Sequence, residues 1–316
     1  MKKVLLIAAA AMLLLSMTSC NKHKDGVFNP KQKLSAIYEA AKTIDSWYNS
    51  DTYTWEDRDP IITPLYKDQE WIWDGKQLQQ IRHYDSDGAI RGTETFTYDG
   101  KKLVRAEYKD NEGDGYYTTY EYDGKELASA KFYGYDGLLW CNYEFTHTDK
   151  KITDIKMTEY DYDKSATYIA KRQISSLRSI LPMGQGEKIM ANCEARLKTK
   201  ATSTYITRIS LTWTENNITR ITYKWADGDT DTHDYTYDNK KNPYYGFLAS
   251  YSREMEVITP FYSSENNVLT DDPSDPPYVY EYDKNDYPTS CVYSYSYSGE
   301  TFRWRSTYTT TYEYLK

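Results

Sequence analysis

Cysteine is scarce, with four in 316 residues. Setting aside Cys20, at the end of an apolar leader, leaves Cys141, Cys193 and Cys291. An odd three permits at most one intrachain disulfide, so no disulfide framework holds this chain together. In residues 139–145, alternate positions Leu139, Cys141, Tyr143 and Phe145 share one face, which makes Cys141 a small buried hydrophobe. His23, His83, His147 and His233 are scattered, without the paired spacing that zinc requires. Basic charge is not in excess either. A net charge of −8 excludes nucleic acid as a partner, because that partner rewards a concentrated basic face. After residue 15 no apolar run approaches eighteen residues, so no helix is expected to cross a membrane. There is no Gly-x-Ser-x-Gly elbow and no phosphate-binding glycine loop; Gly184-Gln185-Gly186 is too short to count. The 47 Asp and Glu residues mark no carboxylate pair for glycosidic cleavage, since most fall in turns or on polar faces. The expected role is non-catalytic, binding or scaffolding, with glycan binding the runner-up and hydrolysis of glycosides a distant third reading.

What the chain does have begins at its start. Lys2 and Lys3 precede an apolar run over residues 4–15, then Ser16-Met17-Thr18-Ser19-Cys20. This is a secretory signal, too short to span about 30 Å of hydrocarbon. Small residues ending at a cysteine resemble the lipobox of bacterial lipoproteins. The resemblance implies cleavage after Ser19 and a lipid on Cys20, with residues 1–19 the signal and 20–28 a tether. Lys22 and Lys24 follow where surface-exported lipoproteins tend to carry acids. The expected location is the bacterial outer membrane, anchored by lipid, with the periplasmic face favoured.

From residue 29 to 316 the chain reads as one all-β domain. Asn29 and Pro30 open a predicted amphipathic helix, with Leu34, Ile37, Ala41, Ile44 and Trp47 or Tyr48 as its apolar stripe. A repeat follows. Trp73-Asp74-Gly75, Tyr98-Asp99-Gly100 and Tyr122-Asp123-Gly124 lie 25 and 24 residues apart, and Thr148-Asp149-Lys150 is a degraded copy. Each aromatic-Asp-Gly closes one strand and opens the next, and a second turn stands between copies. Apolar and charged residues alternate along residues 103–109, 127–133 and 152–159, as in a sheet with one dry side. The 35 Tyr, against 7 Phe and 8 Trp, suit such strands, ring on the core and hydroxyl in water. The pattern lapses over residues 171–200, a helical or loop insertion. The expected architecture is an antiparallel up-and-down meander closing into a soluble barrel or strongly curled sheet, filled by the N-terminal helix.

These repeats, with Trp71-Ile72-Trp73-Asp74-Gly75-Lys76-Gln77-Leu78, Leu211-Thr212-Trp213, Asn242-Pro243-Tyr244-Tyr245-Gly246 and Tyr280-Glu281-Tyr282-Asp283, resemble the uncharacterised YD-repeat lipoproteins of Bacteroides-type bacteria. That resemblance implies a porin-like β fold and an envelope location, and carries no catalytic residues over. A pore is not expected, because the faces opposite the apolar ones are charged rather than lipid-compatible.

Two kinds of candidate site emerge. Exposed rings beside carboxylates and amides stack on sugars. Trp140, Trp213, Trp225 and Trp304, together with Tyr293, Tyr295 and Tyr297 on one strand face, are the candidates for a glycan-binding role in polysaccharide uptake. Asp110, Glu112 and Asp114 with Gly115 and Glu121 match the spacing of a Ca²⁺ loop, although the flanks read as strands. No other cofactor is expected. The implied partners are the membrane, through the lipid, and a glycan or an envelope protein.

Overall fold

The computed structural model describes residues 26–50, 52–134, 137–162, 203–248, 257–271, 276–298 and 302–316. The candidate insertion at 171–200, the leader, Cys20 and Cys193 lie outside them. The first strands are β1 (Leu34–Asn49), β2 (Thr54–Asp57), β3 (Ile61–Asp74), β4 (Gln77–Tyr84), β5 (Ile90–Asp99) and β6 (Lys102–Asp110). Then come β7 (Gly115–Asp123), β8 (Glu126–Tyr133), β9 (Leu139–Thr148), β10 (Lys151–Asp161), β11 (Ser203–Thr214) and β12 (Asn217–Lys224). The remainder are β13 (Thr230–Asp234), β14 (Thr236–Tyr237), β15 (Val268–Thr270), β16 (Val279–Tyr282), β17 (Pro288–Ser298) and β18 (Phe302–Tyr314), with one short helix among the described residues, α1 (Pro260–Ser263).

Sixteen strands form one antiparallel sheet, ordered β13-β12-β11-β10-β9-β8-β7-β6-β5-β4-β3-β1-β18-β17-β16, with β2 alongside β1. The meander expectation holds from β3 to β13. Closure into a barrel does not. Among the described residues, β13 and β16 are unjoined edges of the large sheet, and β14–β15 is a separate two-stranded sheet. Single backbone bonds reach that small sheet's neighbourhood, from Tyr235 N–H to Thr219 C=O (3.0 Å) and from Tyr278 N–H to Leu269 C=O (2.8 Å).

The predicted N-terminal helix is also overturned. Residues 34–49 are strand β1, paired with β18 from Leu34 to Trp47 and with β3 from Ala36 to Thr43. A register shift against β18 between Leu34 and Ala36 leaves Ser35 as an extra residue in β1 and breaks strict alternation. Leu34 and Ile37, three apart, are consequently both buried, and the apolar spacing mimics a helical period. A strand gaining two neighbours overrides a modest local helix preference.

The repeat has a finer structure than a turn every 25 residues. The turns joining β3–β4, β5–β6, β7–β8, β9–β10 and β11–β12 lie along one rim of the sheet, and after each of these near turns the second strand carries a bulge, with Gln79, Val104, Ala128, Thr153 and Thr219 as the extra residues. The bulge moves two apolar residues, three apart, onto the dry face: Leu78 and Ile81, Leu103 and Ala106, Leu127 and Ala130, Ile152 and Ile155, Ile218 and Ile221. The first carbonyl of each pair lies past the end of the ladder with the following strand. A polar-tipped ring satisfies it instead. Tyr98 Oη donates to Leu78 C=O and Tyr122 Oη to Leu103 C=O, both at 2.8 Å. Trp73 Nε1 donates to Leu34 C=O (2.8 Å) and Trp213 Nε1 to Ile152 C=O (2.7 Å). His147 Nε2 takes the same place on Leu127 C=O (2.8 Å), and Tyr237 Oη reaches Ile218 C=O. Phe could fill these positions sterically but would leave a carbonyl unpaired. Here lies one physical reason for Tyr over Phe; these hydroxyls sit on backbone oxygen rather than in water.

The dry face is covered by the chain between β12 and β16. Phe247, Leu248, Val257 and Ile258 join one core with residues from β1 and from β3 to β12. Phe247 touches the rings of Phe28 (centroids 5.3 Å), Trp71 (5.4 Å), Phe96 (5.8 Å) and Tyr262 (5.4 Å). The filling that the sequence assigned to an N-terminal helix is supplied by this segment.

Candidate functional site

Strands β17 and β18 form a hairpin whose inner face alternates. Cys291 and Tyr293 stand opposite Thr310 and Tyr308. Together with Tyr278, Tyr280 and the covering segment they enclose a cavity of about 580 Å³. Eight of its fourteen lining residues are aromatic: Tyr244, Phe261, Tyr278, Tyr280, Tyr293, Trp304, Tyr308 and Tyr312. The others are Asn242, Pro243, Asn267, Val268, Cys291 and Thr310, so none of the described lining residues carries a formal charge at neutral pH.

The rings are set against one another. Tyr293 and Tyr308 stack at 5.1 Å and 13°. Tyr278 meets Tyr293 at 5.5 Å and the edge of Phe261 at 5.7 Å. The inner end is fixed by amides. Asn242 Nδ2 donates to the carbonyls of Phe261 (2.6 Å) and Ser264 (2.9 Å), and its Oδ1 accepts the Tyr244 N–H (2.9 Å). Asn267 Nδ2 donates to Asp238 Oδ2 at 3.1 Å. Burial pushes the Cys291 thiol up to about 11. It raises the Tyr244, Tyr280 and Tyr312 hydroxyls well above the usual tyrosine value. All therefore stay protonated and neutral at physiological pH.

Of the glycan candidates, the structure brings Tyr293 and Trp304 to this cavity. Tyr295 and Tyr297 continue the same strand, paired with Ser306 and Trp304. The other three lie elsewhere. Trp140 packs edge-on against Phe132 at 5.9 Å. Trp213 is the carbonyl-capping ring above Ile152. Trp225 stacks on Tyr223 (5.5 Å, 10°) and donates to Asp231 Oδ2 (2.7 Å). The sequence marked none of Tyr244, Tyr278 or Tyr312 as a site residue, because a cavity assembled by register and a returning loop leaves no local spacing.

The Ca²⁺ candidates form a hairpin turn. Asp110 Oδ1 accepts the N–H groups of Glu112 and Asp114, both at 2.9 Å. Glu121 lies along β7, bonded to Lys131 Nζ (2.6 Å) and Ser129 Oγ (2.8 Å). Among the described residues no group of three or more His, Cys, Asp or Glu side chains is arranged to hold a metal.

A second polar grouping went unseen in the sequence because its members lie on different strands. The bulge beside Ile37 and Tyr38 leaves Asp68 as an extra residue, buried and 3.7 Å from Arg91. His83 Nε2 lies 3.8 Å from the buried Glu94. Burial, reinforced by Asp68, pushes the Glu39 carboxyl up to about 7, and Asp68 is itself raised by burial.

No family model matches the chain, and no curated protein matches it. Among solved structures it is similar to a porin-like protein from Bacteroides uniformis ATCC 8492, at 14% identity and a TM-score of 0.45, over 89% of this chain and 98% of that one. A porin-like protein from Bacteroides vulgatus ATCC 8482 gives 12% identity and a TM-score of 0.23, over 64% and 96%. The complex TcdB2-TccC3-Cdc42 gives 13% and 0.25, over 73% of this chain and 14% of that one.

Proposed function

We propose that this is a lipid-anchored protein of the bacterial envelope that binds an uncharged ligand non-catalytically, and that a glycan is the ligand class fitting the site best. The observation that carries the proposal is the cavity: about 580 Å³, ringed by eight aromatic side chains and edged by Asn242, Asn267, Thr310 and tyrosine hydroxyls. Its size falls within the roughly 300–1,000 Å³ of small-molecule sites. Sugars offer apolar C–H faces to rings and hydroxyls to side-chain hydroxyls, and need no countercharge. Hydroxyls and a thiol held protonated by burial favour binding over proton transfer. The signal ending at Cys20 supports the anchor.

A glycan-array screen of the purified protein tests the reading. Retention of at least one neutral glycan is expected, with Trp304→Ala weakening it about tenfold, the equivalent of ~1.4 kcal/mol of lost ring contact. No retention of any glycan would sink it.

A further inference from the structure

At the end away from the near turns, the strands around the cavity run on past their neighbours. Residues 61–67 of β3 extend beyond β4, which pairs with β3 only from Gln69 to Asp74. Residues 293–298 of β17 extend beyond β16, which pairs only as far as Val292. With β2 and the far ends of β1 and β18 they form a blade about 20 Å long, at roughly 3.3 Å per residue. Residues paired across an antiparallel ladder share a face. Trp304 lines the cavity and stands opposite Asp45. Two residues further out, Phe302 stands opposite Trp47, and their ring centroids lie 4.7 Å apart. Ile61, opposite Thr43, is on the same face. Trp47 is 44% exposed and Ile61 64%. The row of rings that is enclosed at Tyr308 therefore continues into the open.

Polar groups stand among these outer rings. Asp45 is opposite Trp304, and Glu56 is opposite Trp47. Asn49 Nδ2 donates to Glu56 Oε1 at 2.6 Å, and the Arg58 guanidinium lies over the Trp47 ring at 5.1 Å. The cores of protein–protein interfaces are depleted in charged residues, and hydrocarbon would strip these groups of water at a cost. Rings set among carboxylates, an amide and a guanidinium suit a ligand that offers C–H faces and many hydroxyls together. We infer that the binding site continues out of the cavity along this face, and that its glycan is a chain several sugar units long, seated on Tyr308 and Trp304 within and on Phe302 and Trp47 outside. From Tyr308 to Phe302 the strip covers about 20 Å of β18, more than one sugar ring spans. This inference rests on the glycan reading proposed above.

The test is a glycan array printed with the disaccharide and the hexasaccharide of neutral glucan, xylan, mannan and fructan series, probed with the purified protein. In at least one series the hexasaccharide is expected to bind about tenfold more tightly than the disaccharide. Trp47→Ala should remove most of that difference and leave disaccharide binding unchanged, which also shows that the variant is folded. Equal affinity for the two lengths, or an equal loss for both in Trp47→Ala, would overturn the extension and leave the cavity reading standing. Retention of nothing on the array would sink the glycan reading and the extension with it. A dimer in sedimentation velocity that Trp47→Ala dissociates would give this face to a second copy of the chain and overturn the extension alone.

Discussion

At the scale of single residues, the tyrosine hydroxyl decides more than the ring. Tyr98 and Tyr122 could be read from the sequence as strand-closing aromatics. What they donate to could not, because Leu78 and Leu103 lie 20 and 19 residues upstream and their carbonyls are bare only by reason of the register. Tyr98→Phe keeps the packing and leaves the carbonyl of Leu78, a residue with no exposed surface, without its donor. The expected loss is about 1–3 kcal/mol in urea unfolding; an unchanged midpoint would show that water replaces the hydroxyl. Glu39 gives a second test. Its folded-state value of about 7 exceeds the 4.5 of an ordinary glutamate, so the folded protein holds a proton that the unfolded chain has released. Its contribution is fully present below about pH 4.5 and is lost as pH rises through about 7. Glu39→Gln should therefore gain melting temperature relative to the wild type on going from pH 5 to pH 8. The same difference at both pH values would refute the assignment.

At the scale of elements, the near turns were legible and β1 was not. Asp-Gly after an aromatic marks a hairpin reliably because it solves a local problem. Gly75, Gly100 and Gly124 adopt φ of +54°, +60° and +57°, which only glycine accepts cheaply. A Cβ at Gly124 would meet nothing within 4 Å, so Gly124→Ala isolates the backbone cost. It should lower stability by about 1–2 kcal/mol, read from thermal unfolding; a neutral effect would mean the turn relaxes to another type. Strand β1 poses a problem that is not local. Its bulge at Ser35 sets Leu34 and Ile37, three apart, together in the core, and its partners on β18 are some 270 residues away in sequence. Helical spacing is then all that the local sequence offers. The bulge after each near turn was missed for a related reason: Leu103 and Ala106 are three apart, so strict alternation assigned Val104 to the wrong face.

At the scale of the whole molecule, the sheet depends on the segment that covers it. A sixteen-stranded sheet with one dry face needs a second layer, and among the described residues that layer is 242–248 and 257–268, α1 among them. The cavity exists because this layer fills the face against β3 to β12 and leaves room against β17 and β18, where rings line the space instead of packing it shut. Phe247 is the point of greatest leverage, since Phe28, Trp71, Phe96 and Tyr262 all meet it and join the tether, β3, β5 and the covering segment. Phe247→Ala should cost about 3–5 kcal/mol by the cavity it leaves. Because the same core runs from β1 to β12, the loss should lower one cooperative transition, followed alike by tryptophan fluorescence and by far-ultraviolet circular dichroism. Two separated transitions would show instead that the covering segment releases before the sheet unfolds, and that the aromatic cavity opens without loss of the strands that line it.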